Sequence, residues 1–258
     1  DLTNWVWGLE RLDHPRFHVT ASARWAGGLR QLREKGIPED RIHAIGQPLR
    51  PEFAAPRGDR QAIRREWEIP ADRIVILMVM GGAGSARAHR LVERILAMRG
   101  VRAHLLACAG RSREFAAGLA AMAQGPDVSM RVIPFTDRMA DLMAASDLLV
   151  TKPGPGTINE AVQMRLPMLV EGGRHWLFWE QANIDLVRQL GLGDVFDDPG
   201  DLPGLIRRHA EQPEHGAAMR AAMERHAESG FEARIRELVA SLLAPAPPAA
   251  ANFSAGGH

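Results

Sequence analysis

Cysteine is nearly absent from this sequence. The one thiol, Cys108, lies in the apolar run RAHLLACAG, so no intrachain disulfide and no CxxC metal-binding pair can form. This absence excludes the small disulfide-stapled folds of secreted proteins and favours a reducing compartment. We therefore predict that Cys108 is an ordinary core residue.

Long hydrophobic runs and an excess of one charge are also missing. The longest fully apolar run is IVILMVM at 74–80, whereas a membrane-spanning helix needs roughly 20 residues. The net charge is only +1 at pH 7, which gives no global attraction to nucleic acid. The hydrophobic fraction of 46% and the charged fraction of 24% are those of an ordinary globular domain. No nucleic-acid partner is expected.

Short β-branched runs alternate with longer helical patterns along the chain. This alternation predicts an α/β fold with a parallel sheet and crossover helices. The expected strands are 17–22, 41–46, 73–80, 101–109, 128–134, 147–151 and 167–171, with closing helices at 201–211 and 216–242.

The proline-bounded segment QPLRPEF divides this pattern into two parts. Residues 1–50 are expected to be the end of one domain, and 51–242 a complete Rossmann-like domain. Residues 243–258 have the low-complexity composition of a disordered tail. Because the chain begins at Asp1 and its first strands lack sheet neighbours, we expect it to be incomplete at its start.

A glycine-rich loop, Gly81–Ser85, follows the strand at 73–80 and precedes a helix. Glycines let backbone N–H groups approach a phosphate, and the helix N-terminus favours an anion. Glycine-rich turns also serve packing alone, so both interpretations stay open for this loop.

The segment TKPGPGTINEA, residues 151–161, places two glycines and two prolines between a strand and a helix. Thr157 and Glu160 have the spacing of a capping box, which is a purely structural role. In the functional alternative, N–H groups near Gly156 and Thr157 hold an anion while Glu160 accepts hydrogen bonds from sugar hydroxyls.

A third polar cluster occurs in HWLFWEQAN, residues 175–183. Its aromatic side chains either pack in the core or line a site, while Glu180, Gln181 and Asn183 are residue types that bind sugar hydroxyls. No zinc-binding spacing or Ser-His-Asp arrangement is evident. The lone histidines are expected at the surface or in packing rather than as ligands, namely His43, His104 and His209.

The motif KPGPGT.NEA, together with G.PLRPEF, resembles monogalactosyldiacylglycerol synthases and processive diacylglycerol glucosyltransferases, relatives of the lipid II N-acetylglucosaminyltransferase. The resemblance spans nearly all of 1–240 and covers the donor-binding half of that group. It implies a GT-B fold and inverting, metal-independent transfer from a UDP-sugar to a lipid acceptor such as diacylglycerol, with no cofactor. It also implies a cytoplasmic enzyme, peripheral on the inner face of the cell membrane.

The resemblance also implies roles for individual residues. Glu160 would bind the ribose hydroxyls, and the backbone at Phe135 and Thr136 would contact the uracil, with Arg50 over the base. Glu180 and Asn183 would contact the transferred sugar. The implied donor-binding set is Arg50, Gly82, Ala83, Ser85, Phe135, Thr136, Met139, Pro155, Gly156, Thr157, Glu160, Trp179, Glu180 and Asn183.

Two positions depart from the pattern of that group. Ala83 replaces another small or polar residue, so Ser85 is expected to take over the phosphate bond. Trp179 stands where relatives carry a sugar-binding Gln, which leaves the donor sugar open.

The catalytic base is expected in the acceptor domain, most of which lies outside this sequence. Asp1 is a candidate for assistance, because the group has an acidic residue at that strand end. A non-catalytic nucleotide-sugar-binding subunit that needs a partner chain is the alternative. A GT-B epimerase is a third candidate, but it would need carboxylates and a histidine that the sequence does not place.

Overall fold

The computed structural model describes residues 17–22, 26–53, 58–81, 86–173, 176–228 and 230–244. Several expected features fall outside this part of the chain. They are Asp1, Gly82, Ala83, Ser85, the side chain of Trp179, and most of the tail at 243–258.

The described residues form a six-stranded sheet in the order β5-β4-β3-β6-β7-β8, with every neighbouring pair parallel. Its strands are β3 (Ile74–Val79), β4 (Ala103–Gly110), β5 (Val128–Pro134), β6 (Leu148–Thr151), β7 (Met168–Glu171) and β8 (Gly193–Phe196). The strand order reverses at β3: β4 and β5 follow on one side of it, and β6, β7 and β8 on the other. Ligands of such sheets bind beyond the carboxyl ends of the strands at this reversal.

Helices cover both faces of the sheet. They are α2 (Arg60–Glu66), α3 (Ala86–Leu96), α4 (Arg113–Ala120), α5 (Met139–Ala145), α6 (Pro155–Gln163), α7 (Phe178–Leu190), α8 (Leu202–Glu211), α9 (Pro213–His226) and α10 (Phe231–Leu243). Leu142, Ile158 and Leu186 belong to the core on one face, whereas Leu91 and Ile206 belong to the core on the other. Strands buried on both faces explain the nearly continuous apolar runs in the sequence.

The sequence-based elements need three corrections. The single helix expected at 216–242 is wrong, because α9 ends at His226 and α10 begins at Phe231, with Gly230 between them at φ 75°. Strand β8 was not expected, since GDVF is short and contains two residues that rarely occur in strands. The short helix α2 was also missed.

The chain before the large sheet consists of β1 (Val19–Thr20), α1 (Ala26–Glu34) and β2 (Ile42–His43), with β1 parallel to β2. Glu228, after α9, holds this part: its two carboxylate oxygens accept hydrogen bonds from Ser22 Oγ at 2.9 Å and Gln47 N at 3.1 Å. Arg234 of α10 donates to the carbonyl of Ile45 at 2.9 Å. These contacts fix the segment that carries Arg50. Within the described ranges, no helix has the length and hydropathy of a membrane span.

Candidate functional site at the carboxyl edge of the sheet

The turn between β6 and α6 points the start of a helix at the carboxyl edge. The N-cap residue is Gly154 and Pro155 is the first helical residue, a position where proline is favoured because its missing N–H has no helical partner. Thr157 is therefore the third helical residue. The predicted capping box between Thr157 and Glu160 is wrong, so the structural role that competed with ligand binding is removed for Glu160.

The backbone donors of this first turn are available to a ligand. Among the described residues, none accepts a hydrogen bond from the N–H groups of Gly156 or Thr157. Gly156 is exposed, and a Cβ placed on it would meet no atom within 4 Å. A helix N-terminus with free N–H groups and open space in front of it favours an anion.

Glu160 lies one turn further into α6, with its side chain only 14% exposed. Arg50 donates to Glu160 Oε1 from Nε at 3.1 Å and from Nη2 at 3.0 Å. Arg50 also pairs with Glu52 at 2.9 Å and lies over the ring of Phe53, 4.9 Å from its centroid. The structure thus brings together Arg50 and Glu160, which are far apart in sequence. Within the described residues both bonds go to Oε1, which leaves Oε2 for hydroxyl donors.

The environment of Glu160 opposes its ionisation. Burial raises the pKa of Glu160 above its ordinary value, and Arg50 lowers it in partial compensation. Burial is the larger influence. The carboxylate is therefore held where hydrogen-bond donors from a ligand would stabilise its charged form.

Lys152 forms an ion pair that the sequence did not predict. Its Nζ lies 2.6 Å from Oε1 of the buried Glu180, in the first turn of α7, and 5.7 Å from the ring centroid of Trp176. The Lys152 side chain also lies close to the backbone of the turns after β3 and β6. A Cβ placed on Gly81 would be 3.5 Å from it, and one placed on Gly154 would be 3.4 Å from it. The lysine in the motif TKPGPG was the only indication of this residue in the sequence. Its pairing with Glu180 could not be predicted, because that contact depends on how α7 packs against the turn.

Asn183 of α7 supports the turn between β6 and α6 through a hydrogen bond. Its side chain is fully buried and its Nδ2 donates to the carbonyl of Pro153 at 2.8 Å. Oδ1 of Asn183 is also buried and accepts no hydrogen bond from the described residues. The structure therefore gives Asn183 a supporting contact to the turn, and its predicted contact with the sugar stays a prediction.

The turn after β7 is held by side chains of the WLFWEQAN segment. Trp176 Nε1 donates to the carbonyl of Gly172 at 2.9 Å, and Gln181 Nε2 donates to that of Gly173 at 2.6 Å. Leu177 is exposed. The segment is thus partly structural, and the role of Trp179 stays a prediction.

The predicted uracil contacts follow β5. The Phe135 side chain is 57% exposed, and the Arg111 guanidinium lies 4.1 Å from its ring centroid. Thr136 Oγ1 accepts the N–H of Arg138 at 3.0 Å, and Met139 begins α5 and packs against the core. Because β4 and β3 separate β5 from β6, the loops after β5 and β6 are about 14 Å apart. Only an extended ligand can touch both.

The part of the chain that forms this edge is similar to a known protein family. Residues 76–170 match the model of the glycosyltransferase family 28 C-terminal domain. This part of the chain is therefore similar to the C-terminal domain of family 28 glycosyltransferases. The matched range begins in β3 and ends in β7, so it contains the β6–α6 turn, Glu160 and the loop after β5.

Two relatives of this chain have names that describe the glycosylation of lipids. A probable monogalactosyldiacylglycerol synthase of Glycine max is 29% identical over 180 residues, 66% of this chain and 33% of the relative. A processive diacylglycerol beta-glucosyltransferase of Staphylococcus saprophyticus is 27% identical over 135 residues, 52% of this chain and 34% of the relative. The predicted resemblance is confirmed. The chain spans about a third of the length of these relatives.

Solved glycosyltransferase structures share the fold. MurG of Acinetobacter baumannii superposes with a TM-score of 0.58 at 15% identity, over 87% of this chain and 73% of MurG. Anabaena HepE, solved in complex with UDP-glucose, has a TM-score of 0.55 at 15% identity, over 87% of this chain and 63% of HepE. These likenesses confirm the predicted GT-B type of α/β fold.

Proposed function

We propose that this chain binds a UDP-sugar at the carboxyl edge of its sheet and acts as the donor half of an inverting glycosyltransferase. The acceptor would be a lipid such as diacylglycerol. The observation that carries the proposal is the uncapped start of α6, whose free N–H groups lie one helical turn from the partly buried, Arg50-paired carboxylate of Glu160.

The two features suit two parts of one ligand. N–H groups at the helix start and the cation of Lys152 favour the diphosphate, because both place positive charge at the same edge. The Glu160 carboxylate favours neighbouring hydroxyls, which are the donors that a ribose offers. The exposed Phe135 ring after β5 is placed for the far end of an extended nucleotide.

The same arrangement suits the departure of UDP. When the sugar–phosphate bond breaks, negative charge develops on the diphosphate. Fixed N–H groups and a nearby cation stabilise that charge without a metal ion, because they are already oriented before the reaction. The attacking hydroxyl belongs to the acceptor and loses its proton to a general base, which we assign to the acceptor-binding part of the enzyme.

The choice of a lipid acceptor rests on the relatives. Both have names that describe glycosylation of diacylglycerol, one with galactose and one with glucose. The two names differ in the sugar, so the proposal covers a hexose in general. A lipid acceptor would place the working enzyme at a membrane surface.

Replacing Gly156 by alanine tests the phosphate contact. The new methyl group enters open space and removes a helical glycine, so the free energy of unfolding should rise by about 0.5–1 kcal/mol. Where a phosphate approaches the backbone, the same methyl group should clash, and UDP affinity should fall roughly tenfold. Titration calorimetry with UDP and a thermal melt measure the two effects.

Gly204→Ala is the matched control, since Gly204 lies in the first turn of α8 with equally open space. It should stabilise the fold and leave UDP affinity unchanged. Equal UDP affinity in the wild type and both variants would contradict a phosphate at the start of α6.

A further inference from the structure

Three metal-ligating side chains meet at the amino-end side of the sheet, away from the edge described above. Asp194 belongs to the edge strand β8, His209 to the last turn of α8, and His215 to the first turn of α9. Their ligand atoms all lie within 4.8 Å of one another. His215 Nε2 is 2.7 Å from Asp194 Oδ2, and His209 Nε2 is 3.8 Å from the same oxygen.

His209 is the residue that packing alone does not explain. Its side chain is only 4% exposed, and Nε2 is buried without a hydrogen-bond partner among the described residues. A buried polar atom without a partner costs roughly 1–3 kcal/mol, so such atoms are rare unless they have a ligand or a function. Here the unpartnered nitrogen is on the side of Asp194 and His215.

The charges around the cluster are mixed. Asp194 supplies the negative charge. Arg208 and Arg220 lie near His209 and disfavour its protonation. Burial, followed by His215, lowers the pKa of His209 to about 4. Arg220 lies on the Nδ1 side, since a Cβ on Gly216 would be 3.4 Å from Arg220 Nη1 and 3.5 Å from His209 Nδ1.

We propose that Asp194, His209 and His215 bind one divalent transition-metal ion of the zinc type. Two imidazole nitrogens and one carboxylate oxygen are ligands that such ions accept, with one coordination position left open. Tetrahedral coordination at about 2.0–2.1 Å places ligand atoms about 3.3 Å apart. The two separations from Asp194 Oδ2, 2.7 Å to His215 Nε2 and 3.8 Å to His209 Nε2, lie on either side of that value, so small side-chain movements complete the site.

The ion would join the α8–α9 hairpin to β8. Each ligand comes from a different element. Helices α8 and α9 are joined by the single residue Gln212, which brings His209 and His215 together. A cavity of about 560 Å³ borders His209, together with Ile74 at the start of β3 and Arg220 of α9. The proposal does not rest on the proposed UDP-sugar binding, because these ligands are not at the carboxyl edge.

Titration of the untagged protein with Co²⁺, followed by visible absorption, tests this site. Tetrahedral coordination should give an intense absorption band that saturates at one ion per chain, and Zn²⁺ should displace it. His209→Gln and Asp194→Asn should each weaken binding at least tenfold, since each removes a ligand. Circular dichroism and UDP titration of the same variants should match the wild type, which separates ligand loss from misfolding.

His43→Gln is the control, because His43 and His18 form a second close histidine pair among the described residues, with Nε2 of His43 2.9 Å from Nδ1 of His18. Cobalt binding should be unchanged in this variant. Absence of a saturable tetrahedral band in the wild type, or equal weakening in His43→Gln and His209→Gln, would overturn the assignment.

Discussion

Replacing Glu160 by glutamine should weaken UDP binding roughly 10- to 100-fold without lowering the melting temperature. Hydrogen bonds to a charged group contribute about 1.5–3 kcal/mol, and the substitution removes the charge that the ribose hydroxyls would meet. The stability of the ligand-free protein does not depend on the negative charge of Glu160. Because burial raises the pKa of Glu160, ionisation costs folding free energy as the pH rises through the native pKa. A neutral glutamine avoids this cost, and Arg50 keeps Glu52 as a partner.

The control for this variant is Glu224→Gln. Glu224 also pairs with an arginine, Arg165, at 3.1 Å, but both side chains are exposed. Exposed pairs contribute little to stability, and α9 lies outside the proposed site. UDP affinity should therefore stay at the wild-type value. If the Glu160→Gln variant loses stability but keeps the wild-type UDP affinity, the carboxylate is structural and not a ligand contact.

Lys152→Met should lower both stability and UDP affinity. The substitution leaves the buried Glu180 carboxylate without its partner, and an unsatisfied buried group costs about 1–3 kcal/mol. It also removes the cation that we place beside the diphosphate, so UDP affinity should fall roughly tenfold. Denaturant unfolding and calorimetric titration give the two values.

The double variant Lys152→Met with Glu180→Gln separates the two roles. Removing both charges should restore most of the stability, because no uncompensated buried charge remains. UDP affinity should stay low, since the cation is still missing. Recovery of stability and UDP affinity together would mean that Lys152 only neutralises Glu180.

The parallel sheet followed from the sequence because its strands are buried on both faces. IVILMV and DLLV read as strands for that reason, and the glycines and prolines after them marked the carboxyl-edge turns. β8 was missed because GDVF at a sheet edge is stabilised by pairing with β7, a contact distant in sequence. The closing helix at 216–242 was predicted too long, because Gly230 adopts a left-handed conformation between α9 and α10.

The candidate site shows the same division between local and distant information. The motif TKPGPGTINEA identified the turn and Glu160, but the helix begins two residues before Thr157 because Pro155 suits the first helical position. Arg50 was placed in the site through the resemblance. Its pairing with Glu160, like that of Lys152 with Glu180, depends on how separate elements pack. The Asp194, His209 and His215 cluster combines three elements and has no spacing that a sequence motif would show.

Hydrogen–deuterium exchange of this chain with and without saturating UDP tests the central claim most directly. Backbone amides at the start of α6, including Gly156 and Thr157, lack acceptors among the described residues. They should exchange rapidly in the free protein and slow down when a diphosphate accepts their hydrogen bonds. Amides in the loop after β5 should slow as well, while those of α8 and α9 should not change. Unchanged exchange at the start of α6, or protection confined to α8 and α9, would contradict a UDP site at the carboxyl edge.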